Sequence, residues 1–159
     1  MAMDEMNNAE HDATSDRSRQ YSTFSVGSLF FGVEVLKVQE VLRYLEMTSV
    51  PLAPDVIQGL INLRGQIVTA VDMRRRLGLE NRGPDETPMN MVVRSDDGPV
   101  SLLVDEIGDV LQVGPESYES VPESVPQAQR ELIRGVYKVD GRLLLVLDTE
   151  RALQTQGAG

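Results

Sequence analysis

The chain has 159 residues, a formal net charge of −10, 41% apolar and 4% aromatic residues, a single His, and neither Cys nor Trp. That charge argues against nucleic acid or an anionic membrane surface as a partner, because both demand clustered Lys and Arg. The missing Cys excludes disulfides, thiolate nucleophiles and Cys-type zinc sites, and the length fits one domain or two small ones with a core of Val, Leu, Ile and Met.

Residues 1–20, MAMDEMNNAEHDATSDRSRQ, carry Asp4, Glu5, Glu10, Asp12 and Asp16 against Arg17 and Arg19. They offer almost nothing to bury and read as a disordered acidic tail. They also lack the apolar run of a signal peptide. No stretch approaches the ~18–20 apolar residues that span a bilayer. The expected location is therefore the cytoplasm, without direct membrane insertion.

From Tyr21 onward strand signals dominate. YSTFSV and LFFGVEV flank Gly27-Ser28, and GLINL and QIVTAV flank Arg64-Gly65. MNMVVR and VSLLV flank a turn at Asp96-Asp97-Gly98-Pro99, and GVYKV and RLLLVL flank Asp140-Gly141. Each pair reads as a hairpin, with Gly65 and Gly141 supplying the positive φ of tight turns. Between the first two hairpins, Val38, Val41, Leu42 and Leu45 have helical spacing. The later segment that resembles this one contains Gly108, which disfavours a helix interior. The prediction is a single turn over Leu36–Glu40 followed by a strand. Residues 154–159, QTQGAG, are expected to fray.

The hairpins recur in register. Setting Gly59 on Gly135, a shift of 76, also sets Gly65 on Gly141, Asp72 on Asp148, Arg75 on Arg151 and Leu77 on Leu153. VLKVQEVL (Val35–Leu42) matches VDEIGDVL (Val104–Leu111) at a shift of 69, and SVP at Ser49–Pro51 matches Ser120–Pro122 at 71. A period near 70 is too long for a solenoid. It predicts two copies of a small unit of about five strands, an all-β fold of two barrels with a few short helices, since closure removes exposed edges.

Catalytic constellations are not evident. His11 lies in the tail, so no triad or zinc site can be assembled around it. No phosphate-binding Gly loop opens a helix. Asp96-Asp97 and Asp105-Glu106 read as solvated loop charge, although carboxylate-only catalysis stays open as an alternative. Arg74-Arg75-Arg76 reads as a solvated face, with Arg75 pairing locally and a basic docking patch as the minority reading. The expectation is a non-enzyme without a cofactor, a binding module whose two barrels form a groove between them.

The segments Leu36-Lys37-Val38-Gln39-Glu40-Val41, Val50-Pro51, Ile57-Gln58-Gly59-Leu60-Ile61-Asn62-Leu63-Arg64-Gly65 and Val71-Asp72-Met73-Arg74, in this order, resemble the CheW family of bacterial chemotaxis coupling proteins. VDEIGDVL and LIRGVYKVDGRLLLVLD continue the likeness, which runs from Tyr21 to Leu153. Ala70 stands where the family commonly has Pro, and Met73 where it has Leu. The resemblance implies two five-stranded SH3-like barrels. It also implies an adaptor joining chemoreceptor cytoplasmic tips to the regulatory domain of the CheA histidine kinase, in membrane-associated arrays. A regulatory module of another chemosensory-type two-component system, for instance one controlling surface motility, is the alternative.

Family residues matching Val38, Glu40 and Arg64 belong to the coupling surface, and Val41, Asn62 and Gly65 complete the candidate set beside them. Ile107 and Asp109 join it by internal symmetry, in a segment expected to cross the inter-barrel groove. Turn geometry asks for Gly65 but not for Arg64, and the matching turn carries Asp140. Arg64 is therefore expected to serve an interaction, a bidentate contact to a carboxylate either on a partner or on Glu40.

Overall fold

The computed structural model describes residues 20–154. The tail assigned to residues 1–20 and the end assigned to 154–159 thus lie almost wholly outside the described residues. Gln20, placed in the tail from the sequence, already belongs to the first strand. Eleven strands follow in chain order: β1 Gln20–Val26, β2 Leu29–Glu34, β3 Val38–Leu42, β4 Ile57–Leu63, β5 Gln66–Asp72, β6 Met89–Ser95, β7 Gly98–Val104, β8 Glu106–Gln112, β9 Tyr118–Glu119, β10 Ile133–Val139 and β11 Arg142–Leu147. The helices are short: α1 Met73–Arg76, α2 Gln127–Arg130 and α3 Thr149–Leu153, with 3₁₀ turns at Val35–Lys37 and Pro115–Ser117. The single turn predicted over Leu36–Glu40 is real, but it ends at Lys37 and the strand begins at Val38.

All four predicted hairpins form. In β4 the buried side is Gly59, Ile61 and Leu63, the alternation a half-buried strand requires. Arg64 and Gly65 have φ of 52° and 89°, and Asp140 and Gly141 have 48° and 79°, so both turns use two left-handed residues. Asn62 Oδ1 accepts the Gly65 N–H at 2.8 Å and tightens the first of them.

Two sheets result, in the orders β3-β6-β7-β5-β4 and β8-β1-β2-β11-β10-β9. The second has a sixth, two-residue strand beyond the five expected. In the first sheet the chain leaving the β3 edge returns to pair with the opposite edge, Thr48 bridging Leu60 of β4. In the second, Glu119 of β9 pairs with Val136 of β10. Thr48 and Glu119 are matched by the shift of 71 and Leu60 and Val136 by that of 76, so the two closures are equivalent.

The duplication appears in the register of every ladder. Thr69 pairs with Val100 in the parallel β5–β7 ladder, and Leu145 with Phe31 in the parallel β11–β2 ladder. Yet a barrel is not a half of the chain. The hairpin β1–β2 joins β8, β10 and β11, while β6–β7 joins β3, β4 and β5. Each repeat lends its first hairpin to the other repeat's barrel. The sequence-based picture of one contiguous half per barrel is corrected here. The reason is connectivity: the short links Val35–Lys37 and Asp105 carry the chain from one barrel straight into the other.

The barrels also share a core. One buried cluster joins Phe24, Phe31 and Leu145 of the second barrel to Val71, Met91 and Leu102 of the first. Phe24 and Phe31 stack with ring centroids 5.3 Å apart. Smaller clusters fill each barrel separately, around Ile61, Val68 and Leu103 in one and around Tyr21 and Leu144 in the other. Where a groove between barrels was expected, apolar packing continues from one into the other.

Two charge assignments change. Asp105, read as solvated, keeps 17% of its side chain exposed and accepts from Arg74 Nε at 3.0 Å, Arg74 Nη2 at 2.7 Å and the Gly27 N–H at 2.7 Å. Arg82 Nε stands 3.0 Å from the same carboxylate, and Arg82 Nη1 3.1 Å from Asp72. Burial by itself would raise the Asp105 carboxyl. The Arg74 and Gly27 hydrogen bonds and the nearby Arg82 charge outweigh it and hold the carboxyl below its ordinary value. The arginine triplet is likewise not a solvated face. On one helical turn the three side chains point about 100° apart. Arg74 goes to Asp105, Arg75 to Asp72 and Asp55, and Arg76 to the carbonyls of Arg151 and Ala152.

Candidate functional site

Glu40 and Arg64 meet at the seam of the first barrel. Arg64 sits at the tip of the β4–β5 turn with 69% of its side chain exposed, and Glu40 lies on the edge strand β3. Arg64 Nη1 donates to Glu40 Oε2 at 2.7 Å and Nη2 to Oε1 at 2.5 Å, a bidentate, charge-assisted pair. These bonds hold the Glu40 carboxyl below the usual carboxylate range and push the Arg64 guanidinium up. Of the targets that the sequence left open for Arg64, a carboxylate on a partner or Glu40, the internal one is realised.

A bulge aims Glu40. Val38 pairs with Val93 and Glu40 with the adjacent Val92, so β3 holds one residue more than its partner strand there. Such an insertion re-aims the side chains beyond it. Val41, next along, is 38% exposed and supplies the apolar surface beside the ion pair. Val38 itself, placed on the coupling surface by the family resemblance, is half-buried against the shared core. Asn62 and Gly65 stand exposed at the same turn as Arg64.

Ile107 and Asp109 are not part of this cluster. They lie on β8, the edge strand of the second barrel paired with β1, at the positions equivalent to Val38 and Glu40. Ile107 is half-buried against the shared core, and Asp109 is exposed, its carbonyl accepting from Thr23 Oγ1 at 2.5 Å. β8 is an edge of its barrel rather than a strap across a groove. With Asp140 where the first barrel has Arg64, the two acids Asp109 and Asp140 occupy the positions of the ion pair.

Arg94 also belongs to this site, though no sequence pattern marks it. Its guanidinium, on β6, donates to the carbonyls of Leu36 at 3.2 Å and Val38 at 2.9 Å, behind the bulge. A lone arginine at a strand end has no pattern that would mark it. The neighbouring Leu36 is 62% exposed and Tyr44 45% exposed, which extends the apolar surface around β3. Among the described residues no group of three or more His, Cys, Asp or Glu could hold a metal ion, and no helix is long and apolar enough to cross a membrane. The geometry offers an exposed strand edge, an ordered charge pair and apolar side chains: the means to bind another protein.

Comparison with known proteins agrees. The CheW-like domain matches residues 20–157. The chemotaxis protein CheW of Klebsiella aerogenes is 30% identical over 138 residues, covering 87% of this chain and 83% of that one. That of Bacillus subtilis is 32% identical over 136 residues, covering 85% and 86%. The crystal structure of the scaffolding protein TtCheW from Thermoanaerobacter tengcongensis superposes with a TM-score of 0.78 at 25% identity, over 88% of this chain and 95% of that one. The exchanged hairpins, the paired SH3-like barrels and these relatives together place the chain in the CheW family of chemotaxis scaffolding proteins.

Proposed function

We propose that the chain joins the regulatory domain of a CheA-type histidine kinase to the cytoplasmic tip of a chemoreceptor, at membrane-associated arrays in the cytoplasm. It acts without catalysis of its own. The coupling surface is the seam of the first barrel: Glu40, Val41, Asn62, Arg64 and Gly65, with Val38 shaping it from beneath. The observation that carries this reading is the bidentate Glu40–Arg64 pair, which is exposed on the Arg64 side and flanked by exposed Val41. An ordered ion pair presents two fixed charges to a partner and selects for complementary ones. Ile107 and Asp109, with Asp140 beside them, give the second barrel a related surface that carries two acids where the first carries an ion pair, so the two barrels can address different partners.

The test is direct binding of the purified kinase regulatory domain and of a receptor-tip fragment. Glu40→Lys reverses one charge on the surface and should weaken at least one of the two complexes roughly tenfold or more while the protein stays folded. Unchanged binding of both would show that Glu40 only clasps the barrel.

A further inference from the structure

The two bulges are equivalent in register but are held by different devices. In β8, Gly108 and Asp109 oppose Thr23, and the Thr23 hydroxyl donates to the Asp109 carbonyl from within the sheet. In β3, Gln39 and Glu40 oppose Val92, which occupies the position equivalent to Thr23 and has no hydroxyl to give. The bulge that carries Glu40 therefore lacks the internal hydrogen bond that secures its counterpart. Arg94 supplies bonds from the other side, to the carbonyls of Leu36 and Val38, the residues just before the bulge. At the position equivalent to Arg94 the second barrel has Ser25, whose carbonyl instead accepts the Asp105 N–H at 3.0 Å. Each barrel thus has one way of fixing its entry strand, and Arg94 is the first barrel's.

We propose that Arg94 is the positioning residue of the coupling surface. By gripping the Leu36 and Val38 carbonyls it fixes the β3 bulge, and through the bulge the direction in which Glu40 faces Arg64. A one-residue slip of an edge strand turns its side chains to the other face. Without Arg94, the entry to β3 keeps only its backbone ladder with β6 and the packing of Val38 to hold the bulge, and Glu40 leaves the bidentate geometry for part of the time. This inference rests on the proposed function only for the use of the surface; the positioning itself is a property of the free protein.

The experiment is NMR on the full chain, comparing wild type, Arg94→Ala and Arg94→Lys for amide exchange along β3 and for the titration of the Glu40 carboxyl. In Arg94→Ala the amides from Val38 to Val41 should exchange roughly fivefold faster. Glu40 should titrate nearer the ordinary carboxylate value, because its bonds from Arg64 are less often made. Arg94→Lys, which can reach one carbonyl, should recover part of both effects. The inference is overturned if Glu40 titrates in Arg94→Ala as in wild type, or if protection is lost evenly across both barrels. Should Arg94→Ala fail to fold, Arg94→Gln is judged by the same two criteria. Partner binding is not among these readouts, so normal binding by Glu40→Lys would defeat the proposed function and leave them untouched.

Discussion

Arg64 and Glu40 are clasped across the seam of the first barrel, while Asp140 and Asp109, which stand at the same two positions of the second barrel, carry like charges. One fold thus displays the same turn and the same bulge twice, once as an ion pair and once as two acids. Arg64 holds a left-handed backbone that Asn, Asp or Gly adopts more readily. The pairing with Glu40 gives a reason for Arg at that position that turn geometry does not.

This contrast sets up an internal control. Arg64→Ala should lose array assembly or partner binding by roughly tenfold or more, with little change in melting temperature, since exposed pairs contribute little to stability. Asp140→Ala should retain binding, at a modest loss of stability from placing Ala at a φ of 48°. Co-sedimentation with receptor and kinase, alongside thermal melts, reads the two variants. Equal behaviour would mean that Arg64 is not presented to a partner.

Acid should release both ordered carboxylates. Glu40 and Asp105 each have a folded-state pKa below the unfolded one, so each contributes stability that is fully present above its ordinary value of 4.5 or 3.8. That contribution falls as pH drops below these values and is gone below the still lower folded-state ones. A pH series of melts should therefore show a steepening loss below about pH 4, shallower in Asp105→Asn than in wild type. Parallel curves would assign the acid sensitivity to other groups.

Asp105→Asn should destabilise the protein by about 2 kcal/mol, because Arg74 and Arg82 keep their charge in a largely buried place without its counter-charge. Asp96→Asn, in the exposed β6–β7 turn, should stay within ~0.5 kcal/mol. Urea denaturation of the two variants checks the difference. A null result at Asp105 would mean that Asp72 and solvent suffice for the two arginines.

Gly59→Ala should cost about 1–3 kcal/mol through overpacking. A Cβ there would lie 2.7 Å from the Thr48 carbonyl oxygen and 3.2 Å from Met47 Cβ, at the bridge that closes the first barrel. Because the nearest atom is backbone, the bridge must shift. Faster amide exchange at Thr48 and Leu60 would locate the damage there; an unaltered melt would show that the closure is pliable.

The sequence exposed what is local. Alternating apolar residues beside turn glycines marked all four hairpins, and the recurrence of Gly59, Gly65 and Asp72 as Gly135, Gly141 and Asp148 marked the duplication. Both aspartates indeed cap the short helices that follow, Asp72 accepting from the Arg74 N–H and Asp148 from the Arg151 N–H. The exchange of hairpins was not legible, because pairing of β2 with β11 joins residues more than a hundred positions apart and no local pattern records it. Asp105 looked like its exposed neighbour Glu106 because burial of an acid depends on which arginines the fold brings near. Arg94 escaped for the same reason. Its role lies in two backbone carbonyls, and carbonyls have no signature in a sequence.

The exchanged hairpins bear on how the chain is made. As it leaves the ribosome, β1–β2 can form its own turn, but Phe31 must wait for Leu145, near the end of the described residues, to complete its sheet. The strands β3 to β5 wait in turn for β6 and β7. Neither barrel can close on a nascent chain stopped at its midpoint, and the shared core stays open until β11 emerges. Such distant pairing slows folding and leaves strand edges exposed meanwhile. Synthesis therefore delivers a scaffold whose shared core is finished only once β11 has emerged, and a product terminated before that point is left with unpaired edges and an uncovered core.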